Sequence, residues 1–490
     1  MPLANAVHPL VIPLIPLLAG SLARIAPHHA HRIVTPALAG ACVLAVFTRP
    51  AADALTRLDT LASTMAVLVS FVGAVVLRFS TRYLEGDPDR ARFLSWMCLT
   101  LSAVLTLVIS NHLLLLLGAW TATSLCLHRL LLHHPHRAGA VYAARKKFVF
   151  SRIAEGSLLA AALMLHAGHD TWRIDELTAS IAAGNHAGLP AAAFLLAFCA
   201  MLKSAQFPFH SWLPDTMDTP TPVSALMHAG IVNAGGFLIL RLAPVFAAAP
   251  AAMHLLAITG TFTAVFGAIV MLAQPAVKRS LAFSTIAQMG FMMIQCGLGA
   301  WGLALLHLVA HSLYKAHAFL RAGSTVGATP RAAIPLATPA LAVGLISAAV
   351  IVAGLSIALK PLAPDTATPQ VFLAIIAFAL AYGIGRAWSG HARSLPLAMA
   401  IATAVGALAC ALHLTAAGFL TAPAPPPAPV WLTAIVGIAF ALLFLFQALL
   451  WRASAHPLGR RLYVHALNGF YVGPLANRLL KRLWPTQPLA

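Results

Sequence analysis

The stretch LKSAQFPFHSWLPDTMDTPTPVSALMHAGIVNAGGFLIL, residues 202–240, decides the fold of this 490-residue chain. Its apolar runs are those of membrane helices, yet it holds Lys203 and the prolines Pro208, Pro214, Pro220 and Pro222. Proline lacks an N–H and its ring clashes with the preceding turn, so no regular helix runs through such a segment. Inside a bilayer a broken helix is tolerated only where it faces protein or a wet cavity. The segment therefore reads as a membrane helix broken near Pro208, with the four prolines structural at the break and Lys203 beside a water-lined gap. A lysine reaching to the surface from a span end is the simpler alternative.

Working outward, composition agrees with membrane burial. Hydrophobic residues make up 60% of the chain and charged residues 9%, with a mean hydropathy of +0.86, which excludes an ordinary soluble domain. A crossing helix needs about 20 apolar residues, and such runs recur from Val7 to Trp451, giving an all-α polytopic protein of about fifteen spans. Met1 to Arg24 lacks an early basic segment and a small-residue cleavage site, so it reads as a first span and not as a removed signal. The proline-rich residues 421–429 (TAPAPPPAP) form a stiff connector outside the membrane. Residues 458–485 alternate basic and apolar side chains, as in an amphipathic helix on which a partner protein or anionic lipid docks.

The net charge of +19 raises nucleic acid as a partner, but the basic residues form no single patch interleaved with aromatics. They mark topology instead. Counted from residue 8, the odd loops hold Arg24, Arg32, Arg78, Arg82, Arg90, Arg92, Arg137, Arg145, Lys146, Lys147, Lys278, Arg279, Arg331 and Arg393. The even side has little beyond Arg49, Arg57, Arg173, Arg241 and Lys360. The positive-inside rule then places the odd loops and the tail after Trp451 in the cytoplasm, and the N-terminus outside.

An ionisable side chain within a span is costly and is by default a functional candidate. Burial disfavours a charged lysine and a nearby carboxylate restores it, so the amine at Lys203 can be switched by a moving charge. His228, one span later, suits proton relay or a purely structural role. His307, His311 and Lys315 fall at i, i+4 and i+8 in HLVAHSLYKAHAF and share one helical face, a plausible proton wire. Glu155, in KKFVFSRIAEGSLL, is either the partner of a buried cation or simply the ion-pair partner of Arg152. The loop LHRLLLHHPHR, with His128, His133, His134 and His136, reads as a solvated surface. The six cysteines form no C-x-x-C pair and Lys315 would repel a metal, so no metal site is expected. No nucleotide-binding or hydrolase motif is present, and no cofactor is expected in this chain.

The segment KSAQFPFHSWLPDTMDTPTPVSALMHAG resembles, nearly residue for residue, a signature of the proton-conducting antiporter-like subunits shared by respiratory complex I and multi-subunit Na+/H+ antiporters. VKRSLAFSTIAQMGFM (277–292) and HLVAHSLYKAHAFLRAGS (307–324) follow in the family's order. The resemblance covers roughly residues 60 to 360. It implies two inverted five-helix repeats with a broken helix in each. By that match Lys203 is the central lysine of the first half-channel and His228 the connecting residue. His307, His311 and Lys315 are the relay between halves, Glu155 stands where the family has an acidic residue, and Lys360 is the second-half lysine. The family pairs its first lysine with a glutamate in a W-E motif, whereas here Trp120 is followed by Thr121.

These departures are similar to one branch, the membrane subunits of bacterial DAB inorganic-carbon accumulation complexes. The resemblance implies a cation-conducting, non-enzymatic subunit of the bacterial inner membrane that drives CO2 hydration in a cytoplasmic DabA-like zinc partner, which resembles a β-carbonic anhydrase. The alternatives are a subunit of complex I or of a Na+/H+ antiporter, and a non-conducting anchor. The expected organisation is N-terminal helices (1–60), a conducting core (61–360), C-terminal helices (361–451) and a cytoplasmic tail (452–490). From the charge asymmetry, a reporter active only in the periplasm should be silent when fused at Ala490, and activity there would reverse the orientation.

Overall fold

A computed structural model of the chain describes residues 8–325, 338–359, 370–388, 395–420, 423, 426–453 and 456–484. The order begins α1 (Val11–Ile25), α2 (Ala30–Phe47), α3 (Thr60–Tyr83), α4 (Arg90–Ile109), α5 (Leu113–Leu131) and α6 (Ala138–His169). A short α7 (Ile174–Ala182) precedes α8 (Leu189–Lys203), which leads into the break. Beyond it stand α9 (Trp212–Asp215), α10 (Thr221–Ala229), α11 (Ala234–Arg241) and α12 (Ala243–Ala247). The bundle continues with α13 (Pro250–Ala273), α14 (Val277–Gly297), α15 (Trp301–Arg321), α16 (Thr338–Leu359), α17 (Val371–Trp388), α18 (Leu395–Phe419) and α19 (Val430–Ala453). The tail is α20 (Pro457–Leu467) and α21 (Val472–Leu483). Among the described residues, ten helices are long and apolar enough to cross a membrane by length and composition, and three shorter apolar helices join them.

Helix breaks sit where the sequence places prolines. Pro208 lies between α8 and α9, and Pro214 within the single turn of α9. Pro220 and Pro222 instead open α10, the second at a first-turn position where its missing N–H costs nothing. A second interruption falls at Gly230, between α10 and α11. In the second half α16 runs as one helix, and Lys360, with residues up to 369, lies outside the described residues.

Contacts sort the loops onto two ends of the bundle. At one end Asp87, between α3 and α4, meets His133 after α5 at 3.1 Å, and Gln274 after α13 donates to Leu467 O of the tail at 3.1 Å. This basic end gathers loops that the charge count had put on one side. At the other end Asp59 caps α3, accepting from Ala62 N at 2.9 Å, and receives Arg57 at 2.9 Å and Arg241 at 2.8 Å. Arg241, expected in a loop, ends α11 as a buried side chain and also donates to Val108 O at 3.0 Å. Nearby, Asp53 sits in the turn joining the short antiparallel strands Ala51–Ala52 and Arg57–Leu58. Partial burial pushes its carboxyl up, but bonds from the Thr56 hydroxyl and the N–H groups of Thr56 and Leu55 outweigh it and hold the group down to about 2.

Two charges expected at the cytoplasmic surface are not there. α6 begins at Ala138, so Lys146 and Lys147, counted above with the odd loops, lie inside the helix and are buried. The tail also differs from a single amphipathic helix: it kinks at residues 469–471, where Phe470 and Tyr471 take positive φ, and folds back on the bundle.

Without a hydrophobic drive between helices in lipid, close backbone approach is what fixes helix pairs, and small residues permit it. The seam between α13 and α14 is the clearest case. A Cβ at Gly290 would stand 2.5 Å from Ala264 N, at Gly260 2.6 Å from Gly290 O, and at Gly267 2.7 Å from Ala287 N. Gly290→Ala should therefore cost about 1–3 kcal/mol and lower the melting temperature of the detergent-solubilised protein. Gly118→Ala, with nothing within 4 Å, is the matched control; equal melting of the two variants would contradict the seam.

Candidate functional site

The break after Lys203 is held open by side chains that replace the lost backbone bonds. Trp212 Nε1 donates to Leu202 O at 3.2 Å, Ser204 Oγ to Val232 O at 2.7 Å and Gln206 Nε2 to Ser204 O at 2.8 Å. Phe207 N donates to Thr263 Oγ1 of α13 at 3.0 Å. Each bond answers a backbone group that would otherwise be orphaned in an apolar interior.

Lys203 closes α8 and is buried, and its Nζ has no hydrogen-bond partner among the described residues. The ammonium instead lies 4.8 Å from the ring centroid of Trp120, on α5. Lys203 and Lys147 line one small cavity with Trp212 and Ile231. Lys147 Nζ donates to Ser124 O at 2.6 Å and Ser124 Oγ at 2.8 Å, and Arg152 Nη2 reaches the same hydroxyl at 3.3 Å. Glu155 pairs with Arg152 at 2.7 Å. Its carboxylate is engaged by Arg152 and makes no hydrogen bond to Lys203. The group sets one carboxylate among Lys147, Arg152 and Lys203. Thr121, where the family carries its glutamate, is half-buried beside Trp120.

The second group centres on α15. Lys315 and His311 are buried and His307 half-buried, while His317 points off their face and is exposed. His311 Nε2 donates to His228 O at 3.2 Å, and His307 Nδ1 donates to Gln295 Oε1 at 2.9 Å. His228 is fully buried, its ring 4.4 Å from that of Phe319, and its Nδ1 lies 3.0 Å from Thr285 Oγ1. The Thr285 hydroxyl gives its one hydrogen to Leu281 O at 3.1 Å, so the network assigns His228 Nδ1 as the donor. Lys315 Nζ donates to the same Leu281 O at 3.4 Å. His228, Thr285, Leu281 O and Lys315 therefore form one continuous polar path across three helices. His228 Nε2 and His307 Nε2 have no partner among the described residues. Asn233, just past the Gly230 interruption, ties the two halves by donating to Ser312 Oγ at 2.8 Å.

Sequence reasoning passed over Lys146, Lys147, Ser124, Thr285 and Gln295. The buried positions of α6 recur as Ala140, Ala144, Lys147, Ser151, Ala154, Leu158 and Leu165, a helical phase visible in the sequence once α6 is allowed to begin before residue 145. Polar partners such as Thr285 and Gln295 carry no such signal. They matter only because α14 sets them against α10 and α15.

The histidine loop meets Asp87. Ligand atoms of Asp87, His133 and His134 lie within 4.8 Å of one another, but Arg92 and Arg129 line the same cleft as His133, a poor setting for a divalent ion. The contact serves as a loop staple. Burial raises the Asp87 carboxyl, yet the Asp89 N–H and His133 outweigh it and hold the group low. Burial, with His133 and Arg137 beside it, holds His134 below its usual range and so neutral.

Comparison with known proteins places this geometry. The family described as NADH:quinone oxidoreductase/Mrp antiporter, transmembrane, matches residues 110–363, and that of NADH-ubiquinone oxidoreductase (complex I) chain 5 N-terminus matches residues 51–94. A probable inorganic carbon transporter subunit DabB2 of Halothiobacillus neapolitanus is 40% identical over 451 residues, 88% of this chain and 80% of that protein. A probable subunit DabB of Hydrogenovibrio crunogenus is 46% identical over 296 residues, 59% of this chain and 57% of that protein. The solved Mrp complex of a Dietzia species aligns with 96% of this chain and 56% of its own, at 24% identity and a TM-score of 0.59, and shares the fold. This multi-pass membrane chain, with its broken helix, buried lysines and polar α15 face, belongs to the antiporter-like membrane-subunit family common to complex I, Mrp antiporters and the DabB subunits of inorganic carbon transporters.

Proposed function

We propose that this chain conducts protons or sodium ions as the energy-coupling membrane subunit of a bacterial inorganic-carbon uptake complex, driving CO2 hydration in a cytoplasmic zinc partner similar to carbonic anhydrase. The carrying observation is Lys203: a buried ammonium beside a helix break, touching a tryptophan face and, among the described residues, no hydrogen-bond acceptor. A static anchor would gain nothing from such a group and would lose stability by holding it. A carrier needs a proton that can leave, and the Trp120 ring stabilises the cation without locking it in a hydrogen bond. Water meeting the open donors at Lys203 Nζ and the open nitrogens of His228 and His307 would link the groups.

Each residue then has a task. Lys203 exchanges the proton in the first half. Lys147 and Arg152, anchored on Ser124 with Glu155 as counter-charge, provide the positive field against which it works. His228, through Thr285, and Lys315 both end on Leu281 O, which only accepts. Leu281 O and Thr285 therefore position the two groups, and water at the open His228 Nε2 would carry the proton between them; His311 and His307 extend the series along α15. Lys360 is proposed as the second-half lysine. In this reading the N-terminus is periplasmic and the tail cytoplasmic, zinc belongs to the partner, and likeness to DabB subunits supports the carbon-uptake role. The family match also favours a second reading, an antiporter subunit of a respiratory or Na+/H+ complex, which lacks at Thr121 the carboxylate that its switch employs.

Lys203→Met keeps the length and packing of the side chain and removes its exchangeable proton. Cation flux into proteoliposomes should fall on the order of 100-fold, with protein yield and melting temperature unchanged. A strain that depends on this variant should fail on ambient CO2, and full growth would overturn conduction and leave a membrane anchor. Co-purification of a zinc-containing soluble partner separates carbon uptake from the plain antiporter reading. Thr121→Glu should slow flux by fixing a proton on Lys203, and faster flux would show that the site works as in relatives with the glutamate.

A further inference from the structure

Lys146 plays no part in the path above, yet it is one of the largest fully buried side chains of the protein. An ammonium has three donors, and here all three are used. Nζ donates to Asp215 Oδ2 at 2.8 Å, to Ser211 O at 3.2 Å and to Asn477 Oδ1 at 2.7 Å. Ser211 and Asp215 belong to the segment just beyond the break that follows Lys203, whereas Asn477 is in α21, at the far end of the chain. One buried charge thus joins three parts of the molecule, and its third acceptor is supplied by the tail.

The rest of the tail grips the same place from two sides. Trp484 lies edge-on to Phe148 of α6 at 6.0 Å, with the Arg145 guanidinium 5.2 Å from its ring. Phe470 lies 5.9 Å from Phe266, which in turn lies 5.4 Å from Phe207 and 4.7 Å from His210, both inside the break. Gly473 backs onto Ser211, where a Cβ would lie 3.9 Å away. Asn477 and Asp215 share the wall of an open cleft of about 740 Å3 at the basic end, lined also by Asp218, Lys278 and Arg279.

We propose that the C-terminal tail is a latch on the broken helix, with Lys146 the positioning residue and Asn477 its catch, so that lifting α21 rearranges the segment beyond Lys203. The latch rests on the conduction reading for its consequence but not for its existence. A charge-assisted bond to a buried ammonium is about twice as strong as a neutral one, so its loss leaves Lys146 one donor short and lets it shift together with Ser211 and Asp215, which it still holds.

The test uses the full chain in nanodiscs and two readouts. Hydrogen exchange of amides 209–218 reports the latch directly: Asn477→Leu should speed it about tenfold, and Asn477→Asp, which keeps an oxygen for Lys146, should restore protection. Cation flux should fall severalfold in Asn477→Leu and recover in Asn477→Asp, a rescue that mere loss of packing would not give. Unchanged exchange in Asn477→Leu overturns the latch. If exchange responds and is rescued while Lys203→Met still conducts, the latch stands and the conduction reading fails.

Discussion

The structure depends on one demand: a backbone interrupted inside an apolar bundle must have every exposed N–H and C=O answered. At the break after α8 the answer comes from Trp212, Ser204, Gln206 and Thr263, drawn from both sides of the gap and from a neighbouring helix. Once those bonds are fixed, Lys203 is left at a helix end with its ammonium turned to the Trp120 face, and the segment carrying Ser211 and Asp215 is set against α6. The buried charges are arranged around the break, and the break exists because the sequence supplies prolines and the partners to satisfy what they undo.

The electrostatics follow from that arrangement. Buried cations outnumber carboxylates near Lys203, and the fold meets the excess without adding acids. Ser124 receives two cations, Trp120 faces a third, and Glu155 is committed to Arg152. Desolvated ions of one sign are costly unless hydrogen-bonded, which is why Lys146 has three acceptors and Lys147 two. Lys203, which has no hydrogen-bond partner among the described residues, is the exception.

Much of this was legible in the sequence. The proline run marked the break, and helical spacing put His311 and Lys315 on one buried face. Charge asymmetry gathered loops that contacts then place at one end of the bundle. What was not legible depends on residues far apart in the chain. Asn477 lies 331 positions from Lys146 and no local pattern joins them. The burial of Lys146 and Lys147 was missed for a different reason. A lysine pair near a span boundary ordinarily marks the boundary, and only tertiary acceptors allow the helix to draw such a pair inside.

The glycine seam has a wider meaning for how work could pass through the molecule. Backbones of α13 and α14 nearly touch along their length, so the two helices form a single stiff plank. On that plank sit Thr263, which holds the break, and Leu281, Thr285 and Gln295, which hold the relay. Both charge clusters are therefore held by the same pair of closely packed helices and share a common spacing. A rigid beam of this kind fixes the distance between the two clusters, so any coupling between them would have to cross a gap of constant width.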